Sequence, residues 1–178
     1  ARLDGEDYWT STGALAIPNA VAGITIAAAV APGAYPASIA HILTFMGFSA
    51  STAQARNTLA ILSTGVGRQA GRRLTTDSFS FAAGATAISG WHAMIGIADH
   101  TNSNGYLYLD GTEDGSQSTY GTDGTSPSED AYYSSVGSLI GDLRYTGDIG
   151  EILVYRAALS PASVSIVSNY LRQKWGIA

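Results

Sequence analysis

Apolar and polar positions alternate most regularly in the middle of the chain. Trp91, Ala93, Ile95 and Ile97 fall on one parity, and His92, Met94, Gly96 and Ala98 on the other. A period of two places the first set on one face of a β-strand. The run stops at Asp99, and residues 100–105 supply turn chemistry through Asn102, Asn104 and Gly105. Tyr106 to Asp110 returns as a strand. Asp110-Gly111 then suits a tight turn, because glycine accepts backbone angles that other residues resist. Together these form the strongest hairpin signal in the sequence.

The rest of the chain reads as a string of short β-compatible segments separated by turn residues. Leu3 to Trp9 alternates imperfectly around an Asp4-Gly5 turn. Ile24 to Val30 reads as an apolar strand of a sandwich core, although its alanines leave helix open. His41 to Phe48 and Asn57 to Ser63 are further strands, with residues 51–62 also compatible with a helix. Arg72 to Thr76 and Phe79 to Ala82 follow, then Tyr132 to Ile140 and Gly147 to Tyr155. In the last, Ile149, Leu153 and Tyr155 share one parity and Ile152 and Val154 the other, so both faces are expected to be covered. Ser116 to Ala131 is almost all Ser, Thr, Gly, Asp and Glu apart from Tyr120 and Pro127, and reads as a long surface loop.

One helix is expected at the end. Ser160 suits the N-cap, and Pro161 suits the first helical position, where its missing N–H costs nothing. Val164, Val167, Leu171 and Trp175 recur at helical spacing, with Arg172, Lys174 and Gly176 suited to the C-terminal end. Half-apolar strands cannot leave their apolar faces in water, and two sheets packed face to face remove that problem. The expected fold class is all-β, a two-sheet antiparallel sandwich with a short C-terminal helix. The whole chain, residues 1–178, reads as a single domain.

Composition narrows the function. With 46% apolar residues the chain has enough material for a core. It has 21 glycines and no cysteine, which excludes disulfides, iron–sulfur clusters and thiolate zinc sites. Net charge is −5 and Lys174 is the sole lysine. The one basic cluster, Arg68, Arg72 and Arg73, reads as solvated surface, and no nucleic-acid partner is expected. The stretch from Ala20 to Ala40 contains Pro32, Pro36, Gly23 and Gly33 and reads as a strand with its loop, so no membrane insertion is expected. No basic start followed by an apolar run marks a signal peptide.

Three segments carry a resemblance. GDIGEILVYRAALSPASVSIVSNYLRQKWG (147–176) resembles the closing strand and helix of laminin G-like, concanavalin A-like jelly-roll domains. RLDGEDYW (2–9) resembles their opening strand, and WHAMIGIADHTNSNGYLYLDGT (91–112) their central hairpin. The segments occur in the family's order. Ala157 stands where the family commonly has arginine. The resemblance implies a jelly-roll of two antiparallel sheets with the first and last strands near each other. Its members include lectins, protein-binding modules, glycoside hydrolases and virus or phage structural domains, so the fold does not choose a function.

Glycoside hydrolysis wants paired carboxyl groups across a cleft. The nearest approach, Asp148 and Glu151, is three apart on a strand and is expected to face opposite sides. No Gly-x-Ser-x-Gly elbow and no His-Glu-x-x-His is present. His41, His92 and His100 read as solvated or structurally hydrogen-bonded. No enzyme activity and no cofactor are expected. Calcium is the metal for which the turns supply oxygen, through Asp99, Asn102, Asn104, Asp110 and Asp114. Turns also use Asp and Asn for backbone reasons, so none is assigned as a ligand.

Glycan recognition needs aromatic platforms and directional hydrogen bonds. Tyrosines cluster around the expected loops, Tyr108 among them. The candidate contacts are Asn102, Asn104, Tyr106, Tyr120, Tyr132, Tyr133, Arg144 and Tyr145. The expected function is a non-catalytic carbohydrate-binding module of a larger extracellular or cell-surface protein. The alternative is a structural domain of a phage or virus particle, acting through protein contacts and oligomeric. The partner is accordingly a glycan or a protein.

Overall fold

The computed structural model describes residues 1–11, 17, 20–46, 55–73, 77–120, 124, 133–139 and 143–178. The strands among them are β1 (Arg2–Asp4), β2 (Trp9–Thr10), β3 (Gly23–Pro32), β4 (Ile39–Met46), β5 (Ala55–Leu62) and β6 (Val66–Gly71). They continue with β7 (Ser80–Ala87), β8 (His92–Asp99), β9 (Asn104–Leu109), β10 (Thr112–Gln117), β11 (Tyr133–Val136) and β12 (Thr146–Tyr155). One helix, α1 (Pro161–Trp175), follows. The strands form two six-stranded antiparallel sheets, ordered β1-β12-β3-β8-β9-β10 and β2-β11-β4-β5-β6-β7. β1 pairs with β12, so the first and last strands are neighbours, as the resemblance implies.

The alternation read from sequence sorts side chains between two cores. Met94 and Ala98 of β8 point between the sheets, with Ile24, Ile26, Leu59, Ile61 and Leu107. Ala93, Ile95 and Ile97 point the other way and are covered by Val164, Val167 and Leu171 of α1. The alanines of β3 divide likewise: Ala28 faces the inner core, and Ala27 and Ala29 face the helix. Burial on both sides, with strand neighbours for the backbone, makes this segment a strand despite alanine's helix preference.

The helix matches its sequence signals. The Ser160 side chain accepts a hydrogen bond from the Ser163 N–H at 3.3 Å, and Gly176 caps the end at φ 63°. We expect Ser160→Ala to lower stability by about 1 kcal/mol in urea denaturation, through loss of that cap. Trp175 stacks on Trp91 at 5.6 Å between ring centroids. At the corner where Ala157 departs from the family pattern, Thr25 does the joining. Its hydroxyl donates to the Ala157 carbonyl at 2.8 Å and accepts from the Leu159 N–H at 3.1 Å.

Four expectations are corrected. The strand expected at Arg72 to Thr76 lies earlier, at β6, and residues 74–76 fall outside the described residues. The alternation of β6 is illegible because inward positions are Gly67 and Gln69, against Met94, Leu107 and Gly96. The loop expected from Ser116 begins later, since β10 extends to Gln117. Residues 121–123 and 125–132 lie outside the described residues. In β12 the register shifts between Ile149 and Glu151. That extra residue flips the parity, so Ile149 joins Ile152 and Val154 at the inner core, and Leu153 and Tyr155 face the helix side. Asp148 and Glu151 therefore share the outer face. They do not face opposite sides.

The sheets also touch along one edge. β10 lies against β7, where Gly115 and Gly84 have no side chain to separate the backbones. Asp114, the bulged residue of β10, accepts from the Thr86 hydroxyl at 2.6 Å and the Thr86 N–H at 3.2 Å.

Candidate functional site

The eight candidate contacts separate. Asn102 is exposed in the β8–β9 turn, where its side chain donates to Asp99 at 2.7 Å and its backbone N–H to the same carboxylate at 3.1 Å. Asn104 opens β9 opposite Asp99. Tyr106 follows on the outer face, half-buried. Arg144 lies elsewhere, donating to the Glu6 carboxylate at 2.9 Å and packing over the Tyr8 ring. Tyr132 is outside the described residues, as is the side chain of Tyr133.

Tyr120 and Tyr145 require correction. Tyr120 is fully buried in the core and donates to the Gln69 side chain at 2.5 Å. Tyr145 is also buried, and its hydroxyl donates to the Asp148 carbonyl at 3.3 Å. Burial pushes both hydroxyl pKa values far up. A lone aromatic in a polar stretch anchors that stretch to the core here, and neither ring can meet a ligand.

What the fold brings together around Tyr106 is a cleft of about 300 Å³ on the helix side of the first sheet. Tyr106 and Tyr108 are two apart on β9 and point the same way, with ring centroids 6.5 Å apart and tilted by 40°. Asp99 of β8 and Glu113 of β10 flank them, and Ser160 and Pro161 close the end. Glu113 is the direct cross-strand partner of Tyr108. Burial first, then the Glu113 charge, then Tyr106 and the hydrogen bond with Glu113, raise the Tyr108 pKa. Its hydroxyl thus stays a proton donor at neutral pH. α1 has no acidic residue in its first turn. Asp99 and Glu113 bring negative charge towards that end from neighbouring strands.

The cleft combines the partly exposed Tyr106 ring, which can cover the C–H face of a sugar, with carboxylates and the rim of Tyr108, most of whose ring is buried in the helix-side core. Tyr108, Asp99 and Glu113 were not in the sequence-derived set. The shared parity of Tyr106 and Tyr108 was visible, but placing Glu113 beside them needs the strand register.

A second polar constellation lies on the outer face of the other sheet. Register places Ser135, Thr44, Thr58, Ala70 and Phe81 in one row across it. His41, Ala60, Arg68 and Ala83 form the next. His41 Nδ1 is 2.6 Å from the Thr58 hydroxyl, which is 3.0 Å from that of Thr44. All three residues are buried. Burial, then the Arg68 charge, lowers the His41 pKa to about 4. Arg68 packs over Phe81 at 5.2 Å. His41 is thus a neutral, structurally hydrogen-bonded histidine. His92 is structural too: its Nδ1 lies 2.7 Å from Asp110, whose other oxygen accepts from the Ala93 N–H at 2.9 Å. His100 is fully buried in the turn.

The oxygen-rich turn residues have separate local roles: Asp99 with Asn102, Asp110 with His92, and Asp114 with Thr86. Among the described residues no three His, Asp or Glu side chains converge as a metal site. Asp148 pairs with Arg2, and Glu151 with Lys174. The hydrogen bond from Arg2 holds the Asp148 pKa down, as that from Lys174 does for Glu151. Among the described residues no helix is long and apolar enough to cross a membrane.

A family model described as the concanavalin A-like lectin/glucanases superfamily matches residues 3–165. No curated protein sequence matches the chain. Among solved structures, the CBM40 domain of a Ruminococcus gnavus IT-sialidase, bound to α2,3-sialyllactose, is similar at a TM-score of 0.65 and 19% identity, covering 84% of each chain. A native heptameric SAP-like pentraxin from Limulus polyphemus is similar at 0.62 and 15% identity, covering 93% of this chain and 83% of that one. A leech intramolecular trans-sialidase is similar at 0.63 and 17% identity, with 84% of this chain matching 23% of that one.

Proposed function

The chain belongs to the concanavalin A-like lectin/glucanases superfamily, and from that premise we propose that it is a non-catalytic module that recognises carbohydrate at the Tyr106–Tyr108 cleft. The observation that carries this reading is the cleft itself. Two tyrosine rings stand side by side on one strand, flanked by Asp99 and Glu113, in a concavity of about 300 Å³. Sugar recognition uses this combination: an apolar ring face for the C–H side and hydrogen-bonding groups for the hydroxyls. The solved CBM40 structures bound to sialyllactose support the glycan reading by fold likeness. The acidic residues nearest to a hydrolase pattern, Asp148 and Glu151, are engaged by Arg2 and Lys174.

Asn102 and Asn104 lie at the rim of this cleft's strands and belong to the proposed contact region. Arg144, engaged with Glu6 on another part of the molecule, does not. The reading implies display outside the cell, where glycans are presented.

A glycan array followed by calorimetric titration of any hit tests it. We expect Tyr106→Ala to weaken binding at least about ten-fold, the loss typical of a central aromatic contact. Its circular dichroism should remain that of the parent, because Tyr106 is half-buried and outside the inner core. A blank array together with a stable oligomer in light scattering would instead favour the virion-domain alternative.

A further inference from the structure

Resting on that reading, we infer that the cleft selects sugars carrying a free amine over their neutral counterparts and rejects sugars carrying a carboxylate. Four acidic groups face a cation or histidine: Asp148 faces Arg2, Glu6 faces Arg144, Glu151 faces Lys174 and Asp110 faces His92. Asp114 and Asp4, away from the cleft, are held by Thr86 and the Glu6 N–H. Asp99 and Glu113 do not face a cation or histidine. Both line the cleft, no lysine or arginine lines it with them, and neither joins an ion pair among the described residues.

The groups that do bond them are neutral. Asn102 donates to Asp99, and Tyr108 stands beside Glu113. A neutral donor orients a carboxylate without cancelling its charge. The start of α1 supplies about half a positive charge at most, against two full negative ones. The partly exposed Tyr106 face acts in the same direction, since the negative face of an aromatic ring attracts an ammonium and repels an anion. The chemistry that fits is a protonated hexosamine with one ring face on Tyr106 and its amine towards Glu113 or Asp99.

The test is titration calorimetry of the full chain with three probes: a glucosamine disaccharide with free amines, its N-acetylated form, and sialyllactose. At low ionic strength and a pH where the amine is protonated, the free-amine disaccharide should bind on the order of ten-fold tighter than the acetylated one. Sialyllactose should bind weakest. The preference should shrink in high salt and in Glu113→Gln, with Asp99→Asn as a second variant. Glu6→Gln, remote from the cleft, should leave it unchanged and so exclude a general charge effect. Equal affinities for the two disaccharides, or a preference for sialyllactose lost in Tyr106→Ala, would overturn the charge selection while leaving glycan recognition standing. Binding of no oligosaccharide in any class would overturn glycan recognition itself, and the selection with it.

Discussion

A side chain at Gly115 will force apart the seam where the two sheets meet. A Cβ there would lie 2.1 Å from the Ala83 carbonyl oxygen and 2.7 Å from its carbonyl carbon, both backbone atoms of β7. No rotamer change can relieve a clash with main chain. β7 and β10 must separate, and the Asp114–Thr86 bonds between them must break. We expect Gly115→Ala to lower stability by about 3 kcal/mol, the upper range for overpacking. Gly115→Val should lose cooperative unfolding altogether, since total stability is only about 5–15 kcal/mol. Gly90→Ala is the control. Nothing lies within 4 Å of a Cβ there, and only its φ of +78° opposes a side chain. Its cost should be about 1–2 kcal/mol. Equilibrium urea denaturation compares the three, and a Gly115→Ala no less stable than Gly90→Ala would contradict the close seam.

The second large effect is acid sensitivity from His41. Its pKa falls from 6.5 to about 4 in the folded state, chiefly through burial. Between those values the unfolded chain binds a proton that the folded chain refuses, so stability rises with pH across the window. The contribution is fully present above 6.5, declines as pH falls towards 4, and is gone below 4. A shift of this size corresponds to about 3 kcal/mol. Denaturation at pH 7, 5.5 and 4.5 should show this decline in the parent. In His41→Gln, which keeps a polar partner for Thr58, the part due to His41 should vanish. Parallel profiles for the two proteins would mean that His41 is not held neutral by burial.

How much of this was legible depended on whether a residue's neighbours lie close in sequence. The helix was readable from Ser160 to Gly176 because caps and 3.6-residue periodicity are local. The Asp110-Gly111 turn was readable for the same reason: both residues take positive φ, 51° and 89°, as a two-residue hairpin turn requires. β6 was not readable, because its inward side chains are a glycine and a glutamine set by the opposite sheet. The bulge in β12 was invisible too. Gly150 could be any glycine until Trp175 is seen over it, where a Cβ would meet the indole at 2.6 Å. In the cleft, Tyr106 was found from loop composition and Tyr108 was seen but not selected. Glu113 depended on register. Tyr120 was mistaken for a ligand contact because a polar stretch with one aromatic gives no sign of which way the ring turns.

The arrangement of sheet borders has a consequence for association. A sheet normally ends in a row of unpaired amides and carbonyls on which another chain can add a strand. On one side of this molecule the border strands β7 and β10 lean on each other, with Asp114 occupying the Thr86 amide. On the other, β1 and β2 are only three and two residues long. Among the described residues the one longer stretch is in β12, because β1 pairs only with Thr146 to Asp148 and leaves Glu151 to Tyr155 paired with β3 alone. Strand addition to the described part of the molecule is thereby confined to that five-residue stretch, beside the start of the helix connection.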